Sequence, residues 1–317
     1  DTADLAYYGA QGASSPTRGI WSGGSPSEDM IQYVTIASTG NANEFGNLSA
    51  NRKAPCEASS STRCVIVGGY TPTVLNTMEY ITIATTGNAK DFGGVSTTFR
   101  YGAGISNETR GLIAGAYQGG GASGTLNTIQ FITIATLGDT ADFGDMVANS
   151  GGGITGAGSC QSSTRGITFG GATGPSQVNE INSIEIGTLG NSVDFGDLSV
   201  TKYYCQGVSS STRGVVAGGY QESPGFTSSN LIEFITIAST GDATDFGDLI
   251  SGQTEKPAGA SSSTRGLFIC GESQPSGTRL NTIQFVTIAT TGNTCLLYTS
   301  DAADERSSVD LGGRRII

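Results

Sequence analysis

Histidine is absent from this chain of 317 residues. That removes Ser-His-Asp and Cys-His nucleophile systems, and every zinc or copper site that needs an imidazole ligand, from this stretch of sequence. Lysine is scarce. Among 16 cationic residues only Lys53, Lys90, Lys202 and Lys256 are lysines, against 27 acids and a net charge of −11. A chain with that balance lacks the clustered cations that phosphate backbones require, so nucleic acid is not an expected partner, and anionic membrane surfaces would repel it. No apolar run approaches the roughly 20 residues of a membrane helix, so no membrane insertion is expected. The cysteines show no Cys-x-x-Cys spacing. Cys56, Cys64, Cys160, Cys205 and Cys270 read as small buried strand residues, although a disulfide between Cys56 and Cys64, across the first hairpin of one repeat, stays open. Nothing in this composition asks for a cofactor.

What the chain does have is one sentence written six times. It reads Ser-Ser-Thr-Arg-Gly, a short apolar run, Gly-Gly, a variable stretch, Ile-Glu-Phe-Ile-Thr-Ile-Ala-Ser-Thr-Gly-Asn, then Asp-Phe-Gly-Asp-Leu. The arginines fall at Arg18, Arg63, Arg110, Arg165, Arg213 and Arg265, between 45 and 55 residues apart. A period near 50 carrying strands and Gly-Gly predicts an all-β propeller of about six four-stranded blades. In the copy spanning 203–249, Tyr203–Ser209 reads as strand one and Gly214–Tyr220, with its paired glycines, as strand two. Leu231–Ser239 reads as strand three and Asp245–Leu249 as strand four, with the Ser-Gly-Pro-rich stretch between strands two and three as a loop. Strand three is apolar on both alternating faces, Ile232 and Phe234 on one, Ile235 and Ile237 on the other. That pattern suits a sheet covered on both sides.

The pattern resembles the kelch repeat over residues 6–294. Gly218-Gly219, Phe234 and Phe246 stand in the places of that family's glycine pair and two aromatics. Phe246 replaces its usual Trp, and its Tyr-Asp pair is missing. The resemblance implies a propeller and leaves function open, since such folds range from sugar oxidases to protein-binding adaptors. The oxidases use a copper site with His ligands, which this chain cannot supply. The near-verbatim Thr-Ile-Ala-Ser-Thr-Gly-Asp-Ala-Thr-Asp-Phe-Gly-Asp-Leu wording is also similar to repeat arrays in virion proteins of marine tailed phages.

Both ends interrupt the repeat. Asp1-Thr2-Ala3-Asp4 copies Asp139-Thr140-Ala141-Asp142, which precedes strand four elsewhere, so the chain is expected to be part of a larger polypeptide. Residues 295–317 abandon the repeat in mid-blade and resemble a translated sequencing adapter, so the propeller domain is assigned to 1–294 and the tail is set aside as non-native. Asp1–Leu5 is a candidate to close the ring as the outer strand of the sixth blade.

Strand alternation sorts the loops. The Ser-Ser-Thr-Arg and Thr-Gly-Asn turns, nearly identical in every copy, share one face. The loops from strand two to three and from strand four to the next blade share the other, and these vary. Recognition usually sits on variable loops held by a rigid frame, so Tyr70, Tyr117, Tyr220 and Phe226 are the candidate binding residues for a glycan or protein surface. The six arginines suggest either an anion grip or a structural latch to a carboxylate or a backbone carbonyl. The acids on their face, Asp91, Asp142, Asp194 and Asp245, are the candidate partners. The triads Asp139/Asp142/Asp145 and Asp242/Asp245/Asp248 hint at calcium, but other copies lose ligands, and turn-capping explains them better. No single acid breaks the repeat pointedly enough to suggest glycoside hydrolysis. The reading is of a non-enzymatic binding or structural module, in a virion or extracellular setting. A propeller-type carbohydrate-active enzyme and an intracellular adaptor are the alternatives.

Overall fold

The computed structural model describes residues 9–25, 28–147, 153–174, 176–221, 225, 227–250 and 256–297. Six four-stranded antiparallel sheets follow one another along the chain, each with its strands in sequence order. They are the six blades of a propeller, as the repeat predicts. Blade one comprises Gln11–Ser14, Arg18–Ser22, Glu28–Thr35 and Asn43–Arg52, and blade five comprises Gln206–Ser209, Arg213–Ala217, Leu231–Thr236 and Thr244–Asp248. Blade six ends on a two-residue outer strand, Cys295–Leu296, paired to Ile283–Thr287. The first residues of the segment that leaves the repeat thus occupy the outer-strand position. The expected alternative, Asp1–Leu5, lies outside the described residues, as does the tail from 298 onward.

The innermost strands touch one another around the axis, and those of blades one and six are in contact. They approach so closely that a Cβ on Gly104 would stand 1.9 Å from the Glu57 carbonyl oxygen. This crowding explains why small residues dominate the first strand of every repeat.

Apolar clusters fill the six gaps between neighbouring blades. Strand three divides its side chains between two of them. Ile232 and the half-buried Phe234 meet Phe268, Val286 and Ile288 of blade six, whereas Ile235 and Ile237 join Ile167, Phe169 and Phe195 of blade four. The two-sided apolar pattern of the sequence is therefore a direct record of packing on both faces.

The Thr-Gly-Asn turns fasten blades two to six each to the one before it. The N–H groups of Gly87, Gly138, Gly190, Gly241 and Gly292 donate to the carbonyls of Phe45, Phe92, Phe143, Phe195 and Phe246 at 2.7–2.9 Å. The next side chain accepts in return: Asn88, Asp139, Asn191, Asp242 and Asn293 take backbone N–H groups of Asn47, Gly94, Asp145, Asp197 and Asp248. Asn and Asp interchange there because only an acceptor oxygen is needed. The glycine of Asp-Phe-Gly sits at a bulge in this seam. A Cβ on Gly144 would meet the Gly190 carbonyl oxygen at 2.3 Å.

The paired glycines lie elsewhere than expected. Strand two ends before them, at Val67 and at Ala217, and Gly68-Gly69 and Gly218-Gly219 have φ of 62° and 105°, 69° and 102°. Only glycine adopts such consecutive values readily. They turn the chain off the blade into small hairpins, Tyr70–Thr71 with Thr73–Val74 and Tyr220–Gln221 with Thr227–Ser228, that crown the variable face.

Two gaps between blades also hold buried ion pairs. Arg52 bonds Glu79 across blades one and two, and Lys202 Nζ lies 2.8 Å from Glu233 Oε2 across blades four and five. Burial alone would push the Glu233 carboxyl up, but Lys202 and the Ser199 N–H hold it below the ordinary carboxylate range. The matching gap between blades two and three has Phe99 and Gln130, both buried, in place of cation and acid.

Two outcomes test this packing. Gly138 and Gly144 share φ of 153°, yet a Cβ on Gly138 has nothing within 4 Å. Gly144→Ala is therefore expected to lower unfolding free energy by about 2 kcal/mol more than Gly138→Ala in urea titrations. Lys202→Met should cost about 3–5 kcal/mol by leaving a buried carboxylate unpaired, and adding Glu233→Leu should restore most of that loss, read from a double-mutant cycle.

Candidate functional site

The six repeated arginines are occupied with structure. Each Nη1 donates to a carbonyl two strands away in the next blade: Arg18 to Ile83, Arg63 to Ile134, Arg110 to Ile186, Arg165 to Ile237, Arg213 to Ile288 and Arg265 to Ile36, at 2.6–3.0 Å. Five guanidiniums also lie over the strand-three aromatic of their own blade, with Arg213 4.4 Å from the Phe234 ring centre. Blade four has Ser183 at that place, and there Arg165 pairs with Glu185 instead. Of the latch partners left open by the sequence, the carbonyl is the one these side chains meet. Asp91, Asp142, Asp194 and Asp245 are exposed on outer strands and make no ion pair with the six arginines among the described residues. An outer strand stands furthest from the axis, which is why sharing a face did not bring them into contact.

The axis is narrow. The channel lined by the inner strands encloses about 50 Å³, room for water rather than for a sugar. One residue there breaks the repeat. Where other blades carry Gly12, Gly104, Ser159, Gly207 and Gly259, blade two carries Glu57. This corrects the expectation that no single acid stands out. The signal was present in an inner strand too short to weigh alone. The carboxyl is buried, accepts the Ser22 hydroxyl and faces the Cys64 thiol, and burial pushes its pKa up to about 8. Cys56 and Cys64 are free thiols, Cys56 opposite Val67 and Cys64 opposite Ser59, so no bridge joins them.

The two ends of the channel differ. On the uniform face the strand one-to-two turns form a serine-lined basin of about 330 Å³. Five of its hydroxyls are engaged locally: Ser15, Ser60, Ser162, Ser210 and Ser262 each accept the N–H of the arginine three residues on. Glu108 is the one carboxylate lining that basin and accepts from Ser61.

The variable face closes in a ring of backbone hydrogen bonds. Gly9 donates to Lys256, Ala54 to Gly9, Tyr101 to Ala54, Gly156 to Tyr101, Tyr204 to Gly156 and Lys256 to Tyr204, at 2.6–3.1 Å. All six residues are left-handed, with φ between 53° and 70°. Glycine suits two of these places. Ala54, Tyr101, Tyr204 and Lys256 hold the conformation at a cost of about 1 kcal/mol each. Their side chains narrow the mouth to a cavity of about 20 Å³.

Around that mouth aromatic rings and cations interleave. The ring centres of Tyr101 and Tyr204 are 4.9 Å apart, those of Tyr203 and Tyr204 4.1 Å, and Tyr203 meets Tyr220 edge-on at 5.5 Å. Arg100 lies 4.6 Å from the centre of Tyr70, 5.2 Å from Tyr117 and 5.4 Å from Tyr101. Lys53 lies over Tyr70 and Lys256 over Tyr204. Three of the four candidate binding residues, Tyr70, Tyr117 and Tyr220, therefore belong to one continuous surface, and Phe226 lies outside the described residues. The sequence reading missed Lys53, Arg100, Tyr101, Tyr203, Tyr204 and Lys256. They sit on the strand four-to-one connections, where Tyr203–Cys205 had been assigned to strand one. That strand begins at Gln206.

No protein-family model and no curated protein matches the sequence. Among solved structures, that of YjhT aligns with a TM-score of 0.77 over 93% of this chain and 98% of its own, at 10% identity. At that identity the likeness speaks for the fold alone, and it places the chain with YjhT in architecture.

Glu57 generates a pH dependence. Its folded pKa near 8 lies above the ordinary value of 4.5. Folding therefore takes up a proton between those values, and the stability it contributes is complete below about pH 4.5 and is lost as pH rises toward 8. Glu57→Gln is expected to flatten that slope, on the order of 1 kcal/mol per pH unit, in urea melts from pH 5 to 8.

Proposed function

We propose that this chain is a non-enzymatic binding module that recognises a glycan or protein surface through its variable face. The asymmetry of the two channel mouths carries this reading. One mouth is a near-uniform ring of serine turns, in five of which a serine side chain accepts the N–H of the repeated arginine. The other gathers half-buried tyrosines and cations on loops that differ from blade to blade. Rigid aromatics with a polar tip are efficient contact residues, because they lose little conformational freedom on binding. The kelch-like wording of the repeat is consistent with such a role. Its similarity to phage virion arrays supports a setting on a tail or virion protein that meets a host surface, with the propeller as one part of a larger polypeptide. An enzymatic reading draws little support from Glu57, since its channel is too narrow for a sugar and no second carboxyl faces it among the lining residues.

The expected outcome is binding to a subset of a glycan array or of intact cell surfaces. Tyr70→Ala with Tyr220→Ala should weaken it at least tenfold, while Glu108→Gln at the serine mouth should leave it unchanged. Retention of binding in the tyrosine variant, with loss in the Glu108 variant, would move recognition to the uniform face.

A further inference from the structure

We infer that the specificity of the variable face is set by one pair of side chains per blade, displayed by a backbone bridge that repeats around the mouth. This rests on the reading of that face as the recognition surface. In blades two to five, the residue just before the left-handed ring position pairs antiparallel with the residue two beyond a turning glycine. Lys53 pairs in this way with Tyr70, Arg100 with Tyr117, Tyr203 with Tyr220, and Thr155 with Ala172. Each pair exchanges both backbone hydrogen bonds, at 2.8–3.2 Å. Gly68, Gly115, Gly170 and Gly218 make the turns, with φ between 57° and 69°. The corresponding pairs of blades one and six involve residues 8 and 255, outside the described residues.

A pair that exchanges both bonds sets its two side chains next to each other on one side of the bridge. The contacts record this. Lys53 Nζ is 5.1 Å from the ring centre of Tyr70, the Arg100 guanidinium is 5.2 Å from that of Tyr117, and the rings of Tyr203 and Tyr220 are 5.5 Å apart. Arg100 also lies 4.6 Å from Tyr70, so the pairs of blades two and three form one patch. The Tyr117 hydroxyl accepts the Gly121 N–H, which fixes its ring. Thr155 and Ala172 make the same bridge with small side chains, at 3.0 and 2.9 Å. The bridge therefore needs neither ring nor cation. Large side chains that the bridge does not require, held side by side by backbone bonds, can be chosen for a ligand rather than for the fold. Tyrosine and arginine are also enriched among the residues that dominate binding energy at protein surfaces. Blade four is the blank in this outline, between the patch of blades two and three and the Tyr203–Tyr220 pair of blade five.

The test exchanges pairs in the full chain and reads binding on a printed glycan array and a panel of intact cells. Arg100→Thr with Tyr117→Ala gives blade three the pair of blade four. Thr155→Arg with Ala172→Tyr does the reverse. The first exchange should weaken the best-bound features about tenfold or more and change their rank order. It should lower the melting temperature by no more than about 4 °C, because the bridge stays. The second should bring in features that the unaltered chain does not bind. Ala172 is buried, so if the second variant does not fold, the rank order in the first decides alone. A rank order that survives, with or without uniform weakening, would overturn the inference. So would a fall of more than about 10 °C in the first exchange, which would make the pair part of the scaffold. In either case loss of binding in the Tyr70→Ala, Tyr220→Ala variant would still keep recognition on this face. If the unaltered chain binds neither the array nor any cell, both readings fall.

Discussion

Closure is the constraint on which this structure depends. Six sheets packed side by side gain nothing unless the sixth meets the first, for otherwise two apolar blade faces stay in water. Two cyclic bond sets make that meeting the same as every other. One is the backbone ring through Gly9, Ala54, Tyr101, Gly156, Tyr204 and Lys256 at the variable face. The other is the arginine ring, in which Arg265 reaches Ile36 as Arg18 reaches Ile83. The closing bonds span more than 200 residues of sequence, so their loop-closure entropy is large. They form only because the gap between blades six and one carries an apolar cluster equivalent to the other five.

The wording of the repeat follows from this. Thr-Arg stays because the guanidinium must stack on its own blade and donate to the next. Lysine could donate but could not present a flat face to the ring at the same time. Asp-Phe-Gly stays because the phenylalanine meets its strand-three partner edge-on, as Phe234 meets Phe246 at 6.1 Å, and because the glycine gives room for the neighbour's turn. The parts of the sentence that recur, the Arg, the Phe-Gly and the Gly-Asn turn, each touch a neighbouring blade. On the other face the contacts between blades run largely through the backbone, as in the ring through Gly9 and Tyr204, and leave side chains freer to vary. Diversity of side chains on a rigid backbone ring thus coincides in space with the surface proposed for recognition.

Fold and face were legible because each has a periodic signature. The recurrence of the arginines pointed to about six blades while leaving their true number open, and Ile232, Phe234, Ile235 and Ile237 indicated burial on both faces of one strand. The geometry at the mouth was less legible. Tyr203 and Tyr204 are good strand formers by composition, and they extend an inner strand smoothly on paper. Nothing local announces that Tyr204 must turn left-handed to donate to Gly156, because that requirement comes from five other blades. Glycine at the equivalent Gly9 and Gly156 was the available clue, and it becomes visible only when the copies are aligned on the residue rather than on the strand. The role of Asp91 and its repeats went astray for a related reason. A shared face brings residues to the same end of a blade, but the radial distance between inner and outer strands still separates them.

The buried charges show the same logic working between copies. Glu79 and Glu233 occupy equivalent places on strand three, and in both cases the preceding blade sends a cation, Arg52 or Lys202, to meet the acid. Where strand three carries Gln130, the preceding blade supplies Phe99, and the amide oxygen accepts instead from the Ser96 and Thr140 hydroxyls. A repeat can therefore change its buried residue only in step with its neighbour, since an acid facing phenylalanine would be an unpaired charge and a lysine facing glutamine would be another. The blades are not interchangeable units. Three of the six gaps show such a matched pair among the described residues, and there the pairing favours one blade as the neighbour of another. An array of near-identical sentences needs such a rule, because apolar gaps alone would accept any order or register. The left-handed positions around the mouth carry side chains that differ from copy to copy, so a fixed order of blades is also what brings Tyr101, Tyr204 and Lys256 together on one surface.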